Sequence, residues 1–185
     1  MVGKETSTTD KIIAAAERRM REAGFHGYSF REIATDVGIK SASVHHHFPT
    51  KEDLSAAVTR AYADRFMEAL GDPDDRSRSG KELIALYVSL FRRALVEDGQ
   101  ICLCGVLASE VAGLPPLVGA AARDFFERNI VWLETVLKRK SPRARPEQIK
   151  LEALKTVALL EGAMLISSAL QSQQAFERLA KSLQE

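Results

Sequence analysis

The stretch from Ser29 to Phe48, SFREIATDVGIKSASVHHHF, constrains the chain more than any other. It reads as two short helices joined by a tight turn. Ser29 can cap the first helix, with Glu32 at the reciprocal position of a capping box. Ile33 and Val37 stand one helical turn apart and share a face. Gly38 enters a left-handed turn without steric penalty, and Ile39 and Val44 then fold the second helix back onto the first. Ala34 falls at the crossing, where a larger side chain would push the helices apart. This is the pattern of a helix-turn-helix, whose second helix has the size of a DNA major groove.

Charge decides where such a contact could lie. Over 185 residues the net charge is only +1, which excludes a broadly basic coat and requires a local patch. Between Asp36 and Glu52 there is no acid, while Lys40, Lys51, His45, His46 and His47 fall in or at the edge of that window. Hydrophobic residues at 45% and charged residues at 28% suit a globular protein with a substantial core. No apolar run approaches the roughly 20 residues of a membrane span, and MVGKETSTTD lacks a signal-peptide core. The expectation is a cytoplasmic protein without a membrane partner. Cys102 and Cys104 are too few and too close for a disulfide framework and belong in a reducing compartment.

The remaining chain reads as helices. A polar arm carrying Lys4 precedes an amphipathic helix from Thr9, with Ile12, Ile13, Ala16, Met20 and Ala23 at helical spacing, ended by Gly24 or Gly27. Thr50 as N-cap, with acids in the first turn and Asp53 at the box position, opens a long helix to about Leu70. Gly71 to Gly80 is the clearest break. Helices then follow around Leu83 to Leu95, Leu117 to Leu137, Glu147 to about Gln171, and a short last one holding Phe176, Leu179 and Leu183, with a short apolar segment at 101–112. No strand alternation and no repeat is present, so the fold class is all-α. Residues 1–54 are expected to form a three-helix, helix-turn-helix domain, joined through the long helix to a second helical domain over 55–185.

Candidate site residues follow from that layout. Lys40, Ser41, Ser43, His45 and His46 lie on or beside the second helix of the motif, as donors for phosphates and base edges. Thr50 and Lys51 sit at a helix N-terminus that favours a phosphate. Thr9 and Tyr28 are either further phosphate contacts or capping and packing groups. Consecutive helical residues point about 100° apart, so His45, His46 and His47 cannot converge on one ion, and no metal is expected. His47 is expected beside Phe48. In the second domain, Phe91, Cys102, Cys104, Phe125, Trp132, Glu161 and Met164 are candidates to line a ligand cavity, with Glu161 its one charged group. Plain core packing is the competing reading for each of them. The small residues around Leu154, Ala158, Gly162, Leu165 and Ala169 suit a four-helix dimer interface.

From about Thr9 to Leu54 the chain resembles the TetR-type (tetracycline-repressor family) transcriptional regulators. The resemblance rests on the apolar first helix, the Phe30-x-x-Ile33-Ala34-x-x-Val37-Gly38-Ile39 core, and Val44-His45-His46-His47-Phe48-Pro49-x-Lys51-x-Asp53-Leu54. Many family members carry tyrosine where His45 stands. Cys102-Leu103-Cys104-Gly105 with Leu114-Pro115-Pro116 resembles one subgroup. The resemblance implies a homodimer whose N-terminal domains bind a palindromic double-stranded operator. It also implies a C-terminal domain that takes a small-molecule effector, with an electrophile-sensing role for the cysteines as a further possibility. Arg92 and Arg93 could activate such a thiol only if folding brings them close. No cofactor is expected. The competing functions are a thiol enzyme using Cys102 or Cys104, which lacks a base partner in the second domain, and a constitutive architectural DNA-binding protein.

Overall fold

A computed structural model of the chain describes residues 7–183; the polar arm with Lys4 lies outside them. Among the described residues the chain forms nine α-helices and two short 3-10 turns, with no strand. Helix α1 (Thr8–Ala23) starts earlier than its apolar spacing suggests, because Ser7 and Asp10 form a capping box ahead of the first apolar residue. It buries Ile12, Ala16 and Met20 and ends at Gly24. A 3-10 turn (Phe25–Gly27) leads to α2 (Phe30–Val37), capped by Ser29 and Glu32 as the sequence predicts. Gly38 takes φ 75° and ψ 34°, and its left-handed turn directs α3 (Ser41–His47) across α2. Ile33, Ala34 and Val44 meet in that crossing, all buried.

Helix α4 (Lys51–Leu70) packs on α1 on one side and on α7 (Pro116–Lys140) on the other. Arg65 pairs with Glu17 of α1, and Arg128 of α7 donates to Asp64 at 2.7 Å. The Gly71 to Ser79 break is a tethered loop. Trp132 Nε1 donates to the Gly71 carbonyl at 2.9 Å, and Arg139 donates to the carbonyls of Pro73, Asp75 and Arg78. Helices α5 (Gly80–Val96), α6 (Leu103–Ser109), α8 (Pro146–Ala169) and α9 (Gln173–Lys181) complete the bundle. Proline at the first turn sets the start of α7 and of α8.

The bundle centre is aromatic. Phe66 of α4 lies 5.9 Å from Tyr87, 5.5 Å from Phe91 and 5.2 Å from Phe125, and Tyr87 stacks on Trp132 at 5.7 Å. Leu151, Leu154, Leu165, Ile166 and Leu170 of α8 and its C-cap, with Val131 of α7, remain exposed. Among the described residues no helix is long and apolar enough to cross a membrane.

Candidate nucleic-acid interface and effector core

Only Val44 of α3 turns fully inward. Lys40, His45 and His46 are exposed, and Ser41 and Ser43 are half-buried on the same short helix. The neighbouring acids are tied down elsewhere. Asp36 accepts from Arg19 Nε at 2.6 Å and Nη2 at 2.9 Å, and the Arg19 guanidinium holds its carboxyl below the usual carboxylate range. Glu32 is likewise lowered by its bonds to Ser29. The α3 surface therefore carries donors with no carboxylate of its own.

The three histidines diverge, as helical geometry requires. His45 sets its ring edge against Phe30 at 4.6 Å. His46 is exposed, and His47 shares a hydrogen bond of 3.1 Å with Thr9 Oγ1. The expected packing of His47 beside Phe48 is corrected: Phe48 enters the core, and His47 stays outside and links α3 to the start of α1. No group of three or more potential metal ligands occurs among the described residues.

Of two phosphate candidates, Tyr28 takes its packing alternative and Lys51 departs from expectation. The Tyr28 hydroxyl is buried, 2.6 Å from Ser55 Oγ, and burial pushes its pKa up to about 12 against the opposing Ser55 bond. It is a packing group of the head. Lys51 turns inward, donating from Nζ to the Tyr28 carbonyl at 2.6 Å with the rings of Phe25 and Tyr28 below it. Burial lowers its pKa. Thr50 is exposed, but its hydroxyl serves the capping box with Asp53 at 2.7 Å.

The head is bolted to the two ends of α6 and to the start of α7 through residues that periodicity does not single out. Arg21 is buried; its Nε donates to the Ile101 carbonyl at 2.9 Å and its Nη2 to the Gln100 carbonyl at 3.2 Å. The guanidinium also lies 5.8 Å from the Tyr62 ring centroid. Glu110 accepts from the Phe25 amide at 2.9 Å, and Glu52 from the Leu117 amide at 3.3 Å. In sequence Arg21 looks like Arg18 and Arg19, whose ion pairs are surface ones.

Beyond this joint, Cys102 and Cys104 open α6, fully enclosed. Burial, with the Cys104 sulfur close by, pushes the Cys102 thiol up, against thiolate chemistry. Arg92 and Arg93 do not assist, being paired with Glu177 and Glu97. Phe91, Phe125, Trp132 and Met164 are buried, with Phe66 against the rings of Phe91 and Phe125 and Tyr87 against that of Trp132. Burial, then Cys102, pushes the Glu161 carboxyl up, and its Oε1 is buried without a partner. A groove of about 590 Å³ opens separately, between α6 and α7, lined by Leu107, Val111, Leu114 and Phe126.

Comparison with known proteins now bears on this geometry. Residues 12–58 match the model for bacterial regulatory proteins, tetR family. A TetR transcriptional regulator from Legionella pneumophila superposes with a TM-score of 0.89 at 31% identity, over 99% of this chain and 97% of that one. A TetR-family regulator from Agrobacterium tumefaciens gives 0.88 at 25% identity, over 96% and 95%. The HTH-type transcriptional repressor KstR2 of Mycolicibacterium smegmatis is 24% identical over 132 residues, 69% of this chain but only 62% of that relative. The helix-turn-helix, its placement and the whole-chain likeness agree: this chain belongs to the tetR family of bacterial regulatory proteins.

Proposed function

We propose that the chain is a dimeric, effector-responsive transcriptional repressor that reads a palindromic operator with α3. The observation that carries this is the donor set on and beside α3, with Lys40, His45 and His46 exposed and Ser41 and Ser43 half-buried, on a helix held by one buried residue and free of acids. Thr9 and Thr50 flank it as phosphate contacts. Residues 1–54 are the reading head and residues 55–185 the effector and dimer part. The exposed apolar residues of α7 and α8 form the dimer surface, placing two α3 helices about one DNA turn, ~34 Å, apart. The named relatives at this sequence distance include transcriptional repressors, which supports repression. The enclosed Cys102 thiol disfavours both a thiol enzyme and a thiol-triggered release.

The joint suggests how an effector acts. Arg21 and Glu110 couple the head to either end of α6, so a shift of α6 changes the angle of the head and the α3 spacing. Mobility shift with the DNA upstream of the chain's own gene tests the reading: a sequence-specific complex is expected, weakened by Lys40→Ala and abolished by dimer-breaking Leu165→Glu. Absence of a specific complex at moderate salt defeats it.

A further inference from the structure

Buried polar side-chain atoms nearly always have a partner, so exceptions are informative. Two of them belong to one region of the core: Tyr87 Oη on α5 and Glu161 Oε1 on α8. Helices α5 and α8 pack against each other, and the Glu161 carboxyl opposes ionisation of the Tyr87 phenol. The other carboxyl oxygen, Oε2, lies so close to Gly105 of α6 that a Cβ there would collide with it. Cys102, which also faces the carboxyl, offers only a weak S–H donor. Around Tyr87 stand the rings of Phe66, Phe91 and Trp132. Arg21, the one buried arginine among the described residues, is held by the carbonyls of Gln100 and Ile101 and forms no ion pair with Glu161. This part of the core thus presents two unsatisfied oxygens, the Tyr87 one framed by aromatic rings, and no cation to match its carboxyl.

We propose that the spot between Tyr87 and Glu161 takes a small organic ammonium. Its N–H groups would satisfy Glu161 Oε1 and Tyr87 Oη, and its charge would lie against the carboxylate and the surrounding rings. Burial holds the empty carboxyl toward its protonated form, and the bound cation supplies the charge that lets it ionise. Glu161 Oε2 packs against the bare Gly105 of α6, so an occupant that repositions the carboxyl presses on α6. The backbone just before α6 is what Arg21 of the head grips. The proposal rests on the effector-responsive reading above and names the effector's chemical class.

The test uses the full-length protein and three probes of similar shape: benzylammonium, benzyl alcohol and benzoate. By calorimetry, benzylammonium should bind about tenfold tighter than benzyl alcohol, and benzoate more weakly than either. Glu161→Gln should erase the preference for the ammonium over the alcohol. Tyr87→Phe should weaken ammonium binding several-fold with unchanged helicity. Equal binding of ammonium and alcohol, or a preference that survives Glu161→Gln, overturns the proposal. Operator release is scored in parallel to keep the two readings apart. Ammonium preference without release upholds the site and removes the regulatory reading. Release by other compounds that persists in Glu161→Gln does the reverse.

Discussion

The reading head and the aromatic core of the bundle handle buried polar groups in opposite ways. In the head, Tyr28 meets Ser55, Lys51 meets the Tyr28 carbonyl, and the starts of α2 and α4 close with reciprocal caps. In the core, Tyr87 Oη and Glu161 Oε1 have no partner. A fully satisfied network is rigid and specifies one geometry, whereas an unsatisfied one carries a penalty that a ligand can relieve. The difference fits the proposed function, with rigidity in the part proposed to match a DNA spacing and responsiveness in the part proposed to take an effector.

The comparison breaks most visibly by emptying the head. Ile33 is fully buried where α2 and α3 cross, and Ile33→Ala should lower stability by about 3 kcal/mol and remove operator binding with it. Chemical denaturation at fixed protein concentration, beside a mobility shift, reads both. A sharper form makes one substitution in each region. Tyr28→Phe strands the buried Ser55 hydroxyl and should cost about 1–2 kcal/mol. Tyr87→Phe removes a hydroxyl that has no partner and should be neutral or stabilising by up to about 1 kcal/mol. Two destabilising results of equal size would show that the core hydroxyl is satisfied after all.

Legibility in the sequence followed the same divide. The caps at Ser29 and Thr50, the left-handed Gly38 and the inward Ile33, Ala34 and Val44 are local features, decided within a few residues, and spacing alone reveals them. The helix order and fold class were legible for the same reason. Arg21, Glu110, Tyr87 and Gly105 were not, because their roles depend on partners far along the chain: the Ile101 carbonyl for Arg21, the Phe25 amide for Glu110 and Glu161 for Tyr87 and Gly105. Glu161 was legible as an unusual charge on an apolar helix, but not its lack of a partner. Lys51 was misplaced, and the choice for Tyr28 between phosphate contact and packing stayed open, because sequence shows which groups a side chain carries and not the direction in which it turns.

Titration gives the contrast a sign. Burial raises the folded-state pKa of Glu161 above its unfolded value of about 4.3, so the folded state holds its proton more tightly. Its contribution is fully present below that unfolded value and is lost as pH rises through the folded pKa. Glu161→Gln should therefore remove part of the decline in stability above about pH 4.3, measured as the difference between wild-type and variant denaturation midpoints across pH.

Asp36 of the head runs the other way and should show the smallest effect. The Arg19 guanidinium depresses its folded pKa, so its contribution is present above the unfolded value of about 3.9 and disappears as pH falls through the folded value. Asp36→Asn should bring a small loss of stability at neutral pH that vanishes in acid, where the wild-type carboxyl is protonated too. Both groups are solvent-screened relative to the core, which keeps the effect small. Opposite pH slopes from Glu161 and Asp36 in one chain would tie the satisfied head and the unsatisfied core to separate titrations. Parallel slopes would mean that the Glu161 carboxyl has a stabilising partner in solution, and the distinction between the two regions would then rest on Tyr87 alone.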